Sequence, residues 1–172
     1  MNNYRPRIRA RLSADLSACV DLLGRVHAVG GYPTNWPADP ARWLTPSDLI
    51  EAWVASAGGT AVAGGPAVTG GPAVTGHMVL TRVEGYAAAE VGRLFVDPSV
   101  RRQGIAGALL GQATEWAAAR STDLTLLVTD HLHAAQALYE RAGFERAATE
   151  VADWTTPDGQ PVTVHRYDWR GA

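Results

Sequence analysis

The residues richest in chemistry run Leu94-Phe95-Val96-Asp97-Pro98-Ser99-Val100-Arg101-Arg102-Gln103-Gly104-Ile105-Ala106-Gly107-Ala108-Leu109-Leu110. The pattern is a strand, a proline turn, two arginines, and then small residues opening a helix. The first turn of a helix has N–H groups without intrahelical acceptors and a partial positive charge. That is an anion site. Gly104 and Ala106 carry little or no side chain, so a diphosphate can approach the main chain across Gln103, Gly104, Ile105, Ala106 and Gly107. Arg101 and Arg102 add charge from the rim. A Rossmann dinucleotide site is disfavoured, because the strand–helix turn lacks the second early glycine of that fingerprint.

A second segment, Ala135-Gln136-Ala137-Leu138-Tyr139-Glu140-Arg141-Ala142-Gly143-Phe144, reads as a helix closed by glycine and followed by a strand. On periodicity alone Tyr139 is a core aromatic with its hydroxyl at the edge. The two segments together resemble the GNAT superfamily of N-acetyltransferases. Arg101-x-x-Gly104-x-Ala106 after Val96-Asp97-Pro98 fits that family's Gln/Arg-x-x-Gly-x-Gly/Ala motif, and residues 135–144 fit its A-x-x-L-Y-E-x-x-G-F element. The likeness spans roughly residues 7–169, with its motifs between 89 and 144.

The resemblance implies a mixed α/β (α+β) fold with a central sheet of six to seven strands and about four helices. Two parallel strands splay apart, acetyl-CoA occupies the opening, and the acceptor enters from the other side. It also implies roles. Tyr139 would protonate the departing thiolate. A backbone N–H near Phe95 or Val96 would stabilise the carbonyl oxygen. Glu90 would be the general base, set against the plainer reading of an exposed carboxylate at a strand start. Even spacing puts Glu90 on one face with Gly92, Leu94 and Val96. His27, His77 and Glu84 are weaker candidates for the base. One departure stands out: the asparagine that often touches the cofactor seven residues before the tyrosine is Leu132 here.

These groups need elements to hold them. Residues 7–12 suggest a strand and 15–29 an amphipathic helix, with Ser13 or Asp15 near its cap. A loop rich in turn residues and aromatics follows at 30–37. A second helical stretch is expected over Ser47–Ala52, turning into a strand after Trp53-Val54-Ala55. Gly65-Pro66-Ala67-Val68-Thr69-Gly70 recurs unchanged as Gly71-Pro72-Ala73-Val74-Thr75-Gly76. The chain thus reads as one domain over 1–172 with a Gly/Pro repeat insertion at 59–76, an expanded hairpin or interrupted strand. Pro66 and Pro72 disfavour a central strand there, and lengthening a loop costs only about 0.6 kcal/mol per doubling. A strand over 89–96, a helix over 103–120, a buried strand over 124–128, a helix over 133–142, a strand from Phe144, a turn at 156–159 and a strand over 162–169 complete the pattern.

Composition sets the outer limits. The chain has 172 residues, 47% hydrophobic and 19% charged, with a formal charge of −2. That argues against nucleic acid and membrane surfaces as partners. All 15 basic residues are arginine. The one cysteine, Cys19, falls on an apolar helical stripe and reads as core rather than nucleophile. A lone thiol and no leader pattern point to the cytoplasm. No metal site is expected, since His and Cys show no ligand spacing. With no placed cysteine, direct attack in a ternary complex is favoured over an acyl-enzyme. His27, Tyr32, Trp36, Trp43, Asp39, Asp48 and Glu51 would suit a small amine with apolar surface. A protein acceptor (lysine or N-terminus) and a non-catalytic acyl-CoA-binding module are the alternatives. Family members often form homodimers, and the sequence marks no interface for one.

Overall fold

The structure, a computed structural model, describes residues 6–56 and 73–171. Among them, seven strands form one sheet: β1 (Arg7–Ala10), β2 (Leu49–Ser56), β3 (Val74–Arg82), β4 (Ala88–Val96), β5 (Asp123–Thr129), β6 (Glu145–Thr155) and β7 (Pro161–Trp169). Their spatial order is β1-β2-β3-β4-β5-β7-β6. The helices are α1 (Leu16–Gly30), α2 (Pro40–Leu44), α3 (Ile105–Ala118) and α4 (His133–Arg141). No described helix is long and apolar enough to cross a membrane.

Each helix covers a face because its apolar residues fall on one stripe. Ile105, Leu109, Leu110, Ala113 and Ala117 of α3 are buried against Trp53, Met78, Leu80, Ala89, Val91, Leu124 and Leu126 of the sheet. α4 joins the same layer through Ala135, Leu138 and Tyr139. On the opposite face, Cys19, Leu22, Leu23 and Val26 of α1 pack with Leu44, Val54, Val74 and Phe95. Cys19 is thus a core residue, and burial pushes its thiol up to about 11.

All neighbouring strands are antiparallel except β4 and β5. That parallel pair holds only through Ala88↔Asp123, Ala89↔Leu124 and Glu90↔Thr125. Beyond Glu90 each strand runs on without the other, β4 to Val96 and β5 to Thr129. The sheet therefore opens at Glu90, as the expected splayed pair requires.

β4 also carries a bulge. His77 pairs with Phe95 and Val79 with Gly92, so Arg93 and Leu94 together face Met78. Arg93 takes φ 50°, uncommon for a residue with a Cβ. The bulge overturns the expectation that Glu90 shares a face with Leu94 and Val96. Ala89 and Val91 look towards α3, and so do Leu94 and Val96. Phe95 instead joins the α1 layer. One extra residue has swapped the phase of the strand, leaving Glu90 with Phe95.

Two further differences have local causes. The expected helix over 47–52 is instead the start of β2, and the helix lies earlier, at α2. Asp39 caps it by accepting from the Arg42 N–H at 2.9 Å, with Pro40 in the first turn. The apolar run 52–55 is wholly buried in the sheet, and tertiary burial outweighs local helical pattern. The other concerns the repeat. Most of 59–76 lies outside the described residues, but Val74-Thr75-Gly76 of its last unit belongs to β3 and pairs with both β2 and β4. A Cβ on Gly76 would come within 2.9 Å of Ile105 Cγ2 and 3.3 Å of Ala55 Cβ. Gly76→Val should therefore destabilise the fold by about 1–3 kcal/mol through overpacking, read as a lower midpoint in urea denaturation; an unchanged midpoint would contradict this close approach.

Candidate active site

The loop between β4 and α3 is braced before it reaches the helix. Asp97 accepts from the Ser99 N–H and Oγ at 2.9 and 2.7 Å and from Arg25 at 2.9 Å. Those bonds hold its carboxyl below the usual range. Arg102 and Gly104 then both take left-handed backbone, at φ 62° and 76°. Such alternation turns consecutive N–H groups towards one concavity. Gly104 caps α3 without a side-chain hydrogen bond, and its carbonyl accepts from Ala108 at 2.9 Å. The amides of Gly104, Ile105, Ala106 and Gly107 have no acceptor among the described residues. A Cβ at Gly104 would meet nothing within 4 Å, so the space before these amides is open. Arg101, Arg102 and Gln103 are exposed around it. The residues expected to hold a phosphate thus surround a set of free donors at a helix N-terminus.

The opening between β4 and β5 begins beside this loop. The Asp97 N–H donates to the Thr75 carbonyl at 2.9 Å. In an antiparallel ladder alternate residues turn their N–H outward. Val96, paired with Gly76, therefore points its N–H away from β3, to the side β5 has left. Of the two amides expected to meet a carbonyl oxygen, Val96 faces the opening and Phe95 faces β3.

Glu90 stands at the fork as the last residue paired with β5. It is half-buried, and burial raises its pKa. Arg93 opposes that rise, while Asp48 and Asp153 add to it. Across the opening, α4 is docked by the Tyr167 hydroxyl, which donates to Glu140 at 3.1 Å. This packs the Tyr139 ring against Phe144 and Tyr167, at 6.3 and 6.2 Å between centroids. The Tyr139 hydroxyl has no hydrogen-bond partner among the described residues, and burial pushes its pKa up to about 12. Tyr32, from the α1–α2 connection, is also shifted upward, by burial and then by the neighbouring Tyr139. The two phenols thus approach the opening from opposite layers.

The weaker candidates have other work. His77 is fully buried and stacked on Phe95 at 4.9 Å. Its Nε2 accepts from the Arg11 guanidinium at 2.9 Å, so its Nδ1–H donates to the Arg93 carbonyl at 3.0 Å. Burial pushes its pKa down to about 3 and keeps it neutral. With both nitrogens engaged, it pins the bulge rather than moving protons. His27 lies 3.0 Å by Nδ1 from the Pro33 carbonyl and 5.2 Å from the Trp36 ring, fixing the α1–α2 connection. Glu84 is exposed near the far end of the β3–β4 hairpin. Leu132 is exposed before α4, and Gln136 ties that turn by donating to the Asp130 carbonyl at 2.8 Å. No group of three or more metal-ligating side chains occurs among the described residues.

Sequence reasoning passed over Arg93. Its guanidinium lies 4.9 Å over the Trp43 ring, on the same side as Tyr32 and Glu90. The available signal was an arginine inside an otherwise apolar strand, Val91-Gly92-Arg93-Leu94-Phe95.

A parted parallel pair beside a helix start with free amides defines an acyl-CoA-dependent acetyltransferase architecture. The Acetyltransferase (GNAT) domain model matches residues 50–146, and the chain belongs to that family. Among solved structures, it is similar to the ribosomal-protein-S18-alanine N-acetyltransferase from Escherichia coli, with TM-score 0.73 and 21% identity over 98% of this chain and 95% of that one. A putative phosphinothricin N-acetyltransferase matches at TM-score 0.73 and 18% identity, over 98% and 99% of the two chains. A putative acetyltransferase from Salmonella typhimurium, solved with its cofactor acetyl-CoA, matches at TM-score 0.72 and 15% identity, over 97% and 94%. At these identities the structures speak for the fold. No curated protein matches the chain in sequence.

Gly104→Glu would place a carboxylate and a strained left-handed residue before the free amides. We expect it to abolish acetyl-CoA binding in calorimetry while the protein stays folded; wild-type affinity would refute the placement.

Proposed function

We propose that the protein transfers an acetyl group from acetyl-CoA to a primary amine of a small molecule, by direct attack in a ternary complex, and that it does so in the cytoplasm. The observation that carries this reading is the fork at Glu90, with unpaired amides at one end and a carboxyl, an arginine and two phenols around it. The site fits the donor: the free N–H groups of residues 104–107 and the open space before them suit a diphosphate. Arg101, Arg102 and Gln103 would line its rim. Acetyl-CoA supplies the acyl group as a thioester.

The protein's own groups do the rest. Glu90, with its raised pKa, accepts a proton from the acceptor ammonium, directly or through water. The outward Val96 N–H donates to the carbonyl oxygen as negative charge develops. Tyr139 is protonated at neutral pH and gives its proton to the leaving sulfur. Asp48 and Asp153 add negative potential that draws a cationic amine towards Glu90. A compact acceptor is favoured because Asn35 Nδ2 donates to the Thr155 carbonyl at 2.8 Å, tying the α1–α2 connection to the end of β6.

A panel of primary amines with acetyl-CoA, reading released thiol, tests the reading. Amine-dependent release is expected; none above the rate without amine would sink it. Glu90→Gln should lower kcat by about 10²–10⁴ while leaving acetyl-CoA affinity within about twofold. A variant that still transfers would remove Glu90 as base. Because burial raises the Glu90 pKa, the ionised form is lost above the ordinary carboxylate range. Wild-type kcat/KM should therefore fall as pH drops through that raised value. Tyr139→Phe should lower kcat more than it weakens acetyl-CoA binding, and unchanged turnover would remove Tyr139 from the acid role.

A further inference from the structure

Arg93 is costly as it stands. Its backbone is left-handed and its guanidinium is half-buried. Nε is wholly buried without a hydrogen-bond partner, and no atom of the guanidinium has a hydrogen bond or ion pair among the described residues. Burial disfavours its charge. Other arginines near the sheet are provided for: Arg9 grips Asp15 at 2.6 and 2.7 Å, and Arg11 donates to the Leu44 carbonyl and to Thr45. Glu90 and Asp48 act on Arg93 only through the field, without contact. A guanidinium presents planar donors that match a carboxylate two at a time. Leaving them unmatched in a half-buried site is unfavourable unless something else fills them.

The bulge gives the arrangement a purpose. Three residues apart on a regular strand, Glu90 and Arg93 would project to opposite faces. The extra residue turns both to the side of Trp43 and Tyr32. Neutral His77 holds the bulge by its bond to the Arg93 carbonyl. A carboxyl and an unpaired guanidinium therefore sit side by side at the fork, floored by the Trp43, Tyr32 and Phe95 rings, with Tyr32 against both of the others.

We propose that Arg93 binds a carboxylate on the acceptor, so that the acceptor is an amino acid: its amino group faces Glu90, its carboxylate meets Arg93, and its apolar part lies against Trp43 and Tyr32. This rests on the amine-acetyltransferase reading above and narrows it to one class. Arg93 is then a specificity residue, discriminating by charge and planarity before any chemistry occurs.

The test uses matched pairs at saturating acetyl-CoA: L-phenylalanine with phenethylamine, L-leucine with isoamylamine, and L-methionine with 3-(methylthio)propylamine. The wild-type protein should prefer the amino acid of a pair by about 100-fold or more in kcat/KM. Arg93→Gln should erase that preference, mainly through acceptor KM. Its loss with the matching amine should be far smaller than with the amino acid, and its calorimetric affinity for acetyl-CoA should stay within about twofold. Arg93→Lys should recover part of the preference. Amines accepted as well as amino acids by the wild type would overturn the inference while leaving amine transfer intact. Equal losses on both members of a pair, or weakened acetyl-CoA binding, would also overturn it. Acetylation of neither series would take down the parent reading with it.

Discussion

Everything in this active site depends on β4 and β5 ceasing to be hydrogen-bonded partners beyond Glu90 and Thr125. Main-chain N–H and C=O groups inside a sheet need partners. Where a parallel pair parts, the inner edge of each strand turns to whatever enters the gap. Val96 is therefore free to donate inward while its neighbours Phe95 and Asp97 stay tied to β3. The same separation leaves α3 to start at the mouth of the gap, with its first amides unclaimed. Sheet geometry thus produces two features together: a helix end with unclaimed amides and a strand-edge donor. Neither needs a specialised side chain.

The bulge at Arg93 is the second constraint, and its energetic logic is local. A left-handed non-glycine residue costs of order 1–3 kcal/mol and persists only when its surroundings over-determine it. Here His77 supplies the determination. Its imidazole is enclosed by Arg11, Phe95 and the Arg93 carbonyl, and burial makes the neutral tautomer the stable one. The cation beside it, Arg11, further disfavours protonation. A histidine that looks available in sequence is thereby a fixed strut, with both ring nitrogens engaged.

Much of this was legible from residue pattern. The helix start at Gly104, the buried strand before α4 and the glycine after it announce themselves through backbone demands that few residue types can meet. Gly143 at φ 87° is one such demand. What the pattern missed was set by long-range contact. Residues 49–52 read as helix from their local cap signals, but pairing with β3 makes them strand. The face of Glu90 was misassigned because alternation assumes an unbroken strand, and nothing at Arg93 is a glycine to flag a bulge. Val74-Thr75-Gly76 fell within the repeat, which its prolines left open as an expanded hairpin or an interrupted strand; the tight approach of α3 to Gly76 shows that this unit packs into the core.

The two ends of the site differ in their charged groups, and under the proposed function this would separate the two substrates without a gate. At the α3 end, free amides, the helix dipole and exposed Arg101 and Arg102 favour a polyanion. At the fork, Glu90, Asp48 and Asp153 favour a cation. Each substrate would be repelled or left unsatisfied in the other's place, so charge sorts them before shape does. Arg93 is the exception inside the acidic end, and its isolation is informative. A positive group placed only to offset Glu90 would lie in contact with it, as Arg9 does with Asp15 at 2.6 Å. Arg93 instead leans on Trp43, with Nε buried and unmatched. Held off its own carboxylates by the aromatic ring, it remains free for a carboxylate that arrives with the acceptor.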